Sequence, residues 1–212
     1  MKIIHNWQNN RIQQEASDNV GFLLTDQQGS WLSLASQPAN CYQGWFVTQH
    51  QKPFKVLDDL RLVEGDVQVL SNRFWSVERQ TGAVKEYFWL NSQPRALIYE
   101  LSQPSRAEIV LDFKEPSNNQ SQASYQCAQE QGFLVAKCSL PNETVFLVCK
   151  SDTGKYFPLN QTLKNVFRLA QWEGQKLVLA VGATFSQAQD IASKVFKDLE
   201  RLKKREQSKA AF

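Results

Sequence analysis

The chain has 212 residues, of which 42% are hydrophobic and 21% are charged, and its formal net charge is +3. This is the composition of an ordinary globular protein, and a chain of this length can bury about 70% of its unfolded surface without a disulfide or a metal ion. The basic excess is concentrated after Lys194, and no basic stripe or recognition motif occurs elsewhere, so we expect no nucleic-acid partner.

The N-terminal residues 1–14 are polar throughout and contain no apolar segment of the kind found in signal peptides. No apolar run in the sequence approaches the ~20 residues of a membrane span. We therefore expect a cytoplasmic protein with no membrane partner. The cysteines lack the paired spacing of a zinc site, and no other metal-ligand cluster is present, so we expect no metal and no cofactor. We expect reduced thiols packed as small apolar groups at Cys41, Cys127, Cys138 and Cys149.

Residues 1–19 are interpreted as an N-terminal extension, and the first clear element is the apolar run 21–25. A glycine turn at Gly29 separates this run from Trp31, and the next apolar segment, residues 42–47, contains Gly44. Apolar runs interrupted by glycine predict strands joined by tight turns.

The strand pattern continues through residues 20–185, which we interpret as a single β-sandwich domain. Further segments rich in β-branched and aromatic residues are 84–90, 95–101, 106–113, 132–138, 144–150 and 176–181. Turn signals separate them at 91–94, 103–105, 141–142 and 173–174, and residues 115–124 have the composition of a surface loop. A dozen or more such strands predict an all-β fold, a large two-sheet antiparallel sandwich.

The C-terminal region has a different periodicity. Ser186 and Gln189 have the spacing of a capping box. Apolar residues then recur at three- and four-residue intervals up to Leu202, which predicts one amphipathic helix from Ser186 to about Arg205. After Leu202 the apolar face stops, and we interpret the remainder as a solvated tail. Residues 186–212 are thus predicted to be a C-terminal helix and a linker toward a missing domain.

Several of these segments occur together in a recognisable order. They are Phe22-Leu23-Leu24-Thr25 with Gly29 and Trp31, the run 40–47, Leu70-Ser71-Asn72-Arg73-Phe74, the run 96–114, and residues 177–182 before the helix. Over about residues 20–205 this order resembles the N-terminal domain of the amylo-alpha-1,6-glucosidase type of glycogen debranching enzyme found in bacteria and archaea. Ser30 stands where that family has a second glycine. Asn40, Cys41 and Gln43 stand where it has two arginines and a histidine.

The resemblance implies a galactose-mutarotase-like super-sandwich that carries no catalytic residues. In that family the hydrolytic carboxylates belong to a later helical domain, which would be the partner of this chain within the same polypeptide. An α-glucan is a further possible partner. The resemblance is strongest around Gly44, and it implies Tyr42, Gln43 and Trp45 as candidate substrate-binding residues. Because a domain without its partner should leave apolar side chains exposed, we also expect Tyr42 and Trp45 to contribute to an uncovered patch.

The residues themselves offer little catalytic chemistry. A glycosidase needs two carboxyl groups on opposite sides of the scissile bond, and no carboxyl group in the strands is singled out by its context. We expect most of the candidates to face solvent: Asp58, Asp59, Glu64, Asp66, Glu78, Glu86, Glu100, Glu108 and Asp112. The histidines His5 and His50 are expected in exposed polar segments.

Two other functions stay open. The chain could be a free-standing carbohydrate-binding or scaffold protein. It could also be an enzyme in its own right on a related large sandwich, such as an aldose epimerase, but two histidines are a poor supply of neutral-pH bases for that chemistry.

Overall fold

The computed structural model describes residues 3–6, 11–15, 21–36, 43–49, 51–73, 75–116, 123–164 and 166–209, with backbone alone for 3–6, 11–15 and 209. Within these ranges the chain forms strands followed by two helices. The strands are β1 (Ile3–Asn6), β2 (Arg11–Glu15), β3 (Gly21–Thr25), β4 (Trp31–Ala35), β5 (Gly44–Gln49), β6 (Lys52–Leu62), β7 (Val67–Asn72), β8 (Ser76–Thr81), β9 (Val84–Ser92), β10 (Arg95–Lys114), β11 (Ser124–Glu130), β12 (Phe133–Leu140), β13 (Glu143–Ser151), β14 (Lys155–Leu163) and β15 (Val166–Gly182). The helices are α1 (Phe185–Lys197) and α2 (Leu199–Lys209).

Two long strands, β10 and β15, run through both layers of the structure. The first half of β10 pairs with β9 and with the second half of β15, whereas the second half of β10 pairs with β6 and with the first half of β15. Sheet one has the order β1-β2-β7-β8-β9-β10-β15-β13-β12-β11, and sheet two has the order β3-β4-β5-β6-β10-β15-β14. Every pairing described between these strands is antiparallel, which confirms the predicted sandwich.

Strands β10 and β15 pass from one sheet to the other at positions where the sequence predicted turns. The predicted turns at 103–105 and 173–174 are wrong, because both positions lie inside continuous strands. Between two consecutive registered pairs, β10 places residues 101–104 opposite residue 175 alone. Such a bulge bends a strand and increases its twist, and it suits Pro104, which has no N–H group to donate to a ladder. Turns and bulges share these residue types, so composition did not distinguish them.

The main core lies between the two sheets and is one continuous apolar cluster. Along the first half of β10 the side chains alternate: Leu97 and Tyr99 face this core, whereas Ala96 and Ile98 face the helices on the outside of sheet one. Sheet one is therefore buried on both faces near β10. This explains why that part of the sequence is apolar almost without interruption.

The C-terminal segment is helical as predicted, but it begins earlier, is divided, and extends further. Thr184 is the N-cap, since its hydroxyl accepts a hydrogen bond from the Gln187 amide at 3.2 Å, and the cap is therefore not Ser186. Asp198 ends α1, and α2 then continues to Lys209 where a solvated tail was expected. Polar contacts hold this second helix on sheet one: Lys203 donates to Glu100 at 2.7 Å, and Arg205 donates to Asn91 at 2.7 Å.

One glycine is required where β5 meets β6. Gly44 has φ +122°, and a Cβ at this position would lie 2.0 Å from the carbonyl oxygen of Leu57. We expect Gly44→Ala to lower the free energy of unfolding by at least about 4 kcal/mol, because both the φ angle and the backbone contact exclude a side chain.

The matched control is Gly82→Ala in the β8–β9 turn. Gly82 also has a positive φ, +58°, but no heavy atom lies within 4 Å of the point that a Cβ would occupy. Its substitution should cost about 1–2 kcal/mol. Urea unfolding of both variants measures the difference, and equal losses at the two positions would show that the contact with Leu57 is relieved by small shifts.

Candidate functional site: a polar pocket between the sheets

A cavity of about 460 Å³ opens between the two sheets, and we call it the inter-sheet pocket. Sheet two contributes the end of β4 and part of β6, and sheet one contributes β8 and β9. The connection between β6 and β7 completes the wall. The lining residues are Ala35, Ser36, Asp59, Arg61, Leu62, Gly65, Asp66, Val67, Arg79, Thr81 and Glu86.

A buried ion pair forms one wall of this pocket. Arg79 and Glu86 are directly opposite each other in the β8–β9 hairpin, so the register brings their side chains together. Arg79 donates through Nε and Nη2 to the two carboxylate oxygens of Glu86 at 2.8 and 2.7 Å. Its Nη2 also donates to the carbonyl oxygen of Leu60 on β6 at 2.6 Å, which ties sheet one to sheet two.

Two hydroxyl groups complete the coordination of Glu86. Thr81 donates to one carboxylate oxygen at 2.7 Å, and Tyr99 of β10 donates to the other at 2.5 Å. Burial, followed by the charge of Glu86, raises the pKa of Tyr99 well above its ordinary value of 10.0, so the phenol remains a donor. Burial alone would lower the pKa of Arg79, but Glu86 offsets this effect and the net pKa is raised. These contacts hold the pair in a fixed position.

Asp59 is the second buried carboxyl group of the pocket, and its environment is less complete. One oxygen, Oδ1, accepts a hydrogen bond from the Leu60 amide at 2.9 Å. The other, Oδ2, lies 3.5 Å from Nε of Arg61, whose side chain is 47% exposed. Burial raises the pKa of Asp59 above its ordinary value of 3.8, although the charges of Arg79 and Arg61 act in the opposite direction.

The expectation that most candidate carboxyl groups face solvent is wrong. In the strands they are largely buried and have cationic partners, although the partner of Asp59 is the half-exposed Arg61 at 3.5 Å. Asp58 and Asp112 contact Lys55, Asp112 also contacts Lys114, Glu78 contacts Arg73 and Lys85, Glu100 contacts Lys203, and Glu108 contacts Arg168. Glu64 and Asp66 are exposed, as expected.

Of the residues implied by the resemblance, Gln43 and Trp45 are described, and neither lines this pocket. Trp45 is fully buried in the main core, so its ring presents no face to a sugar in this structure, and the expectation that it is exposed is wrong. Gln43 is 5% exposed. Tyr42 lies outside the described residues, and its role in binding stays a prediction.

Exposed apolar side chains occur elsewhere. Phe157 and Leu163 on β14 are 42% and 43% exposed, and the guanidinium of Arg106 lies 4.5 Å from the centre of the Phe157 ring. The sequence did not indicate this strand, which alternates only weakly between apolar and polar residues.

The cysteine prediction is confirmed for Cys138 and Cys149, which are buried free thiols. Cys127 is half-buried, and burial raises its pKa to about 11. Cys41 and His50 lie outside the described residues, as does the side chain of His5. Among the side chains that the structure describes, no group of three or more histidine, cysteine or acidic residues could hold a metal ion. Over the same part of the chain, neither helix is long and apolar enough to cross a membrane.

Comparison with known proteins gives little further information. No protein-family model matches the chain, and a search of curated sequences finds no match either. Among solved structures, the chain is weakly similar to a protein titled "Putative kojibiose phosphorylase from human microbiome", with a TM-score of 0.36 and 10% sequence identity. The similarity covers 94% of this chain and 31% of that protein, so the chain spans less than a third of its length.

The burial of Asp59 leads to a prediction about pH. Because its pKa is raised on folding, its contribution to stability is fully present below the unfolded pKa near 3.8 and is lost as the pH rises through the folded pKa. Asp59→Asn removes this titration and keeps an oxygen that can accept from Leu60. The variant should therefore be more stable than the parent at neutral pH, and the difference should close as the pH falls to about 3.

Urea unfolding at a series of pH values measures this difference. The control is Asp190→Asn at an exposed position on α1, which should change stability by no more than about 0.5 kcal/mol. An Asp59→Asn variant that is less stable than the parent at neutral pH would show that the charged carboxylate is favourable in the fold.

Proposed function

We propose that this chain is the non-catalytic β-sandwich domain of a glycogen-debranching-enzyme-like glycoside hydrolase. Its role would be to support a helical catalytic domain and to shape one wall of the glucan cleft. The main support for a non-catalytic role is that the buried carboxylates of this chain take part in ion pairs within the fold. The buried ones in the described strands are held by cations in the fold, although Asp59 has only the half-exposed Arg61 at 3.5 Å.

Hydrolysis of a glycosidic bond requires two carboxyl groups that are not already engaged in ion pairs. Glycosidases place two carboxyl groups ~5–5.5 Å or ~6.5–9.5 Å apart, one protonated as the acid and one free as nucleophile or base. Glu86 accepts four hydrogen bonds, two of them from a guanidinium, so its acceptor sites are occupied and none is free for a substrate. Asp59 alone cannot supply both functions.

The sequence resemblance supports the assignment to the debranching enzymes. It covers most of the strands and the C-terminal helical segment, and it implies a helical domain after residues 186–212. The packing of α1 and α2 on the outer face of sheet one is compatible with this order, because the helices end on the outside of the sandwich.

The inter-sheet pocket favours a second candidate, a free-standing carbohydrate-binding or scaffold protein. Such a protein needs a polar site and no reactive pair, and the pocket meets both conditions. The two candidates differ in whether the chain requires a catalytic domain as its partner.

The proposal predicts that the purified chain does not hydrolyse glucans linked by α-1,4 or α-1,6 bonds. Release of reducing sugar from glycogen and pullulan should equal that of a buffer blank, because no acid and base pair is available. Glu86→Gln and Asp59→Asn serve as matched variants. Turnover by the parent chain that either substitution abolishes would contradict the proposal.

A further inference from the structure

We propose that the inter-sheet pocket binds a neutral polyhydroxylated small molecule, such as a single sugar residue, with Asp59 and Arg79 as its main contacts. This proposal deepens the second candidate function, a free-standing carbohydrate-binding protein, and it does not depend on a partner domain or on the debranching-enzyme resemblance. It follows from the donors, acceptors and charges that line the cavity.

The lining of the pocket includes one unused donor and one unused acceptor. Arg79 makes its hydrogen bonds through Nε and Nη2, so Nη1 has no partner among the described residues. Oδ2 of Asp59 likewise receives no hydrogen bond from the part of the chain that the structure describes, since Arg61 lies 3.5 Å away. Both side chains are at least nine-tenths buried. Neither atom is among the fully buried side-chain atoms that lack a partner, so both are open to the pocket, where an occupant that accepts and donates would pair with them.

The charges of the lining favour a neutral occupant. Arg79 is neutralised by Glu86, and Asp59 lies beside Arg61, so neither sign is in excess at the pair. An anionic ligand would meet the carboxylates of Asp59 and Glu86, and a cationic ligand would meet the two guanidinium groups. A hydroxyl group carries no charge, donates one hydrogen bond and accepts others, and therefore suits a site between Nη1 of Arg79 and Oδ2 of Asp59.

The size and the remaining lining are consistent with a molecule larger than water. The volume of about 460 Å³ lies within the range of about 300–1,000 Å³ typical of small-molecule sites. Leu62, Val67 and Ala35 give the lining apolar surface, which can contact the C–H groups of a sugar ring. Exposed Asp66 and Arg61 add polar groups at the solvent side.

The pocket is also rigid before any ligand arrives. Arg79 is held by Glu86 in a two-point contact and by the backbone of β6, and its guanidinium lies 4.9 Å from the centre of the Phe88 ring. A ligand that contacts Nη1 therefore does not have to immobilise a flexible side chain, which lowers the cost of binding.

The test is a titration of the whole chain followed by NMR, with D-glucose, maltose and myo-inositol as neutral probes. D-Glucosamine and D-glucuronate are the charged counterparts. We expect saturable binding of at least one neutral probe, with shift changes at the amide of Leu60 and the Nε–H of Arg79. Asp59→Ala should weaken binding by about 10- to 100-fold, the usual worth of a hydrogen bond to a charged group.

Asp190→Ala on α1 is the control and should bind as the parent does, because this exposed residue is remote from the lining of the pocket. If Asp59→Ala does not fold, as judged by circular dichroism, Asp59→Asn takes its place, and about tenfold weaker binding is expected. The proposal is overturned if no neutral probe binds at millimolar concentration, if shift changes lie outside the pocket, or if a charged probe binds as tightly. The titration measures binding and not hydrolysis. A negative result would therefore overturn this proposal and leave the predicted absence of hydrolysis unaffected.

Discussion

The structure depends on the continuity of two strands, β10 and β15, through both sheets. They pair with each other along most of their lengths, and each half of the pair forms the centre of a different sheet. The two layers therefore cannot slide or separate without breaking the longest ladder in the fold. This constraint fixes the distance between β6 on one layer and the β8–β9 hairpin on the other, and it thereby determines the shape of the inter-sheet pocket.

The second feature of the molecule is the number of charged groups inside it. Burial of a carboxylate is expensive unless a cation and hydrogen bonds compensate for lost water. Glu86 meets this condition with Arg79, Thr81 and Tyr99. Asp112 and Asp59 meet it only in part: Oδ2 of Asp112 contacts two lysines, but its Oδ1 is buried without a hydrogen-bond partner among the described residues. Only Asp59 of these two lines the cavity, which is why we interpret Asp59 as part of a binding site and the other buried charges as structural.

Much of the fold followed from the sequence, because strand alternation and the amphipathic C-terminal pattern are local properties. The two-sheet sandwich and the helical segment after residue 184 were predicted from them. The course of β10 and β15 was not, since Pro104 and Gly174 produce the same composition in a bulge as in a turn. The extent of α2 was also missed, because beyond its buried Leu199 and Leu202 the helix is held by polar contacts of Lys203 and Arg205 with sheet one.

The candidate site was harder to predict than the fold. Glu86 shares a strand face with Phe88 and Leu90, and Arg79 shares one with Val77, so the alternation itself placed both charges toward the core. This signal was available, but it indicates burial without naming a partner. That Asp59 lies beside the same pair depends on the pairing of β6 with β10, which is a long-range property. The expectation for Trp45 failed because an aromatic residue in a glycine-flanked strand has the same local pattern in a core as in a binding site.

Because the two sheets share β10 and β15, we infer that they unfold as one cooperative unit and that this cooperativity gives the pocket fixed walls. Native-state hydrogen exchange tests this claim most directly, because it reports the free energy of opening for each strand. We predict that amides of β6, β8, β9, β10 and β15 exchange with a single free energy equal to that of global unfolding. Exchange of β3 to β6 at a clearly lower free energy than β8 and β9 would contradict the claim, since sheet two would then open independently and the pocket would have no fixed wall.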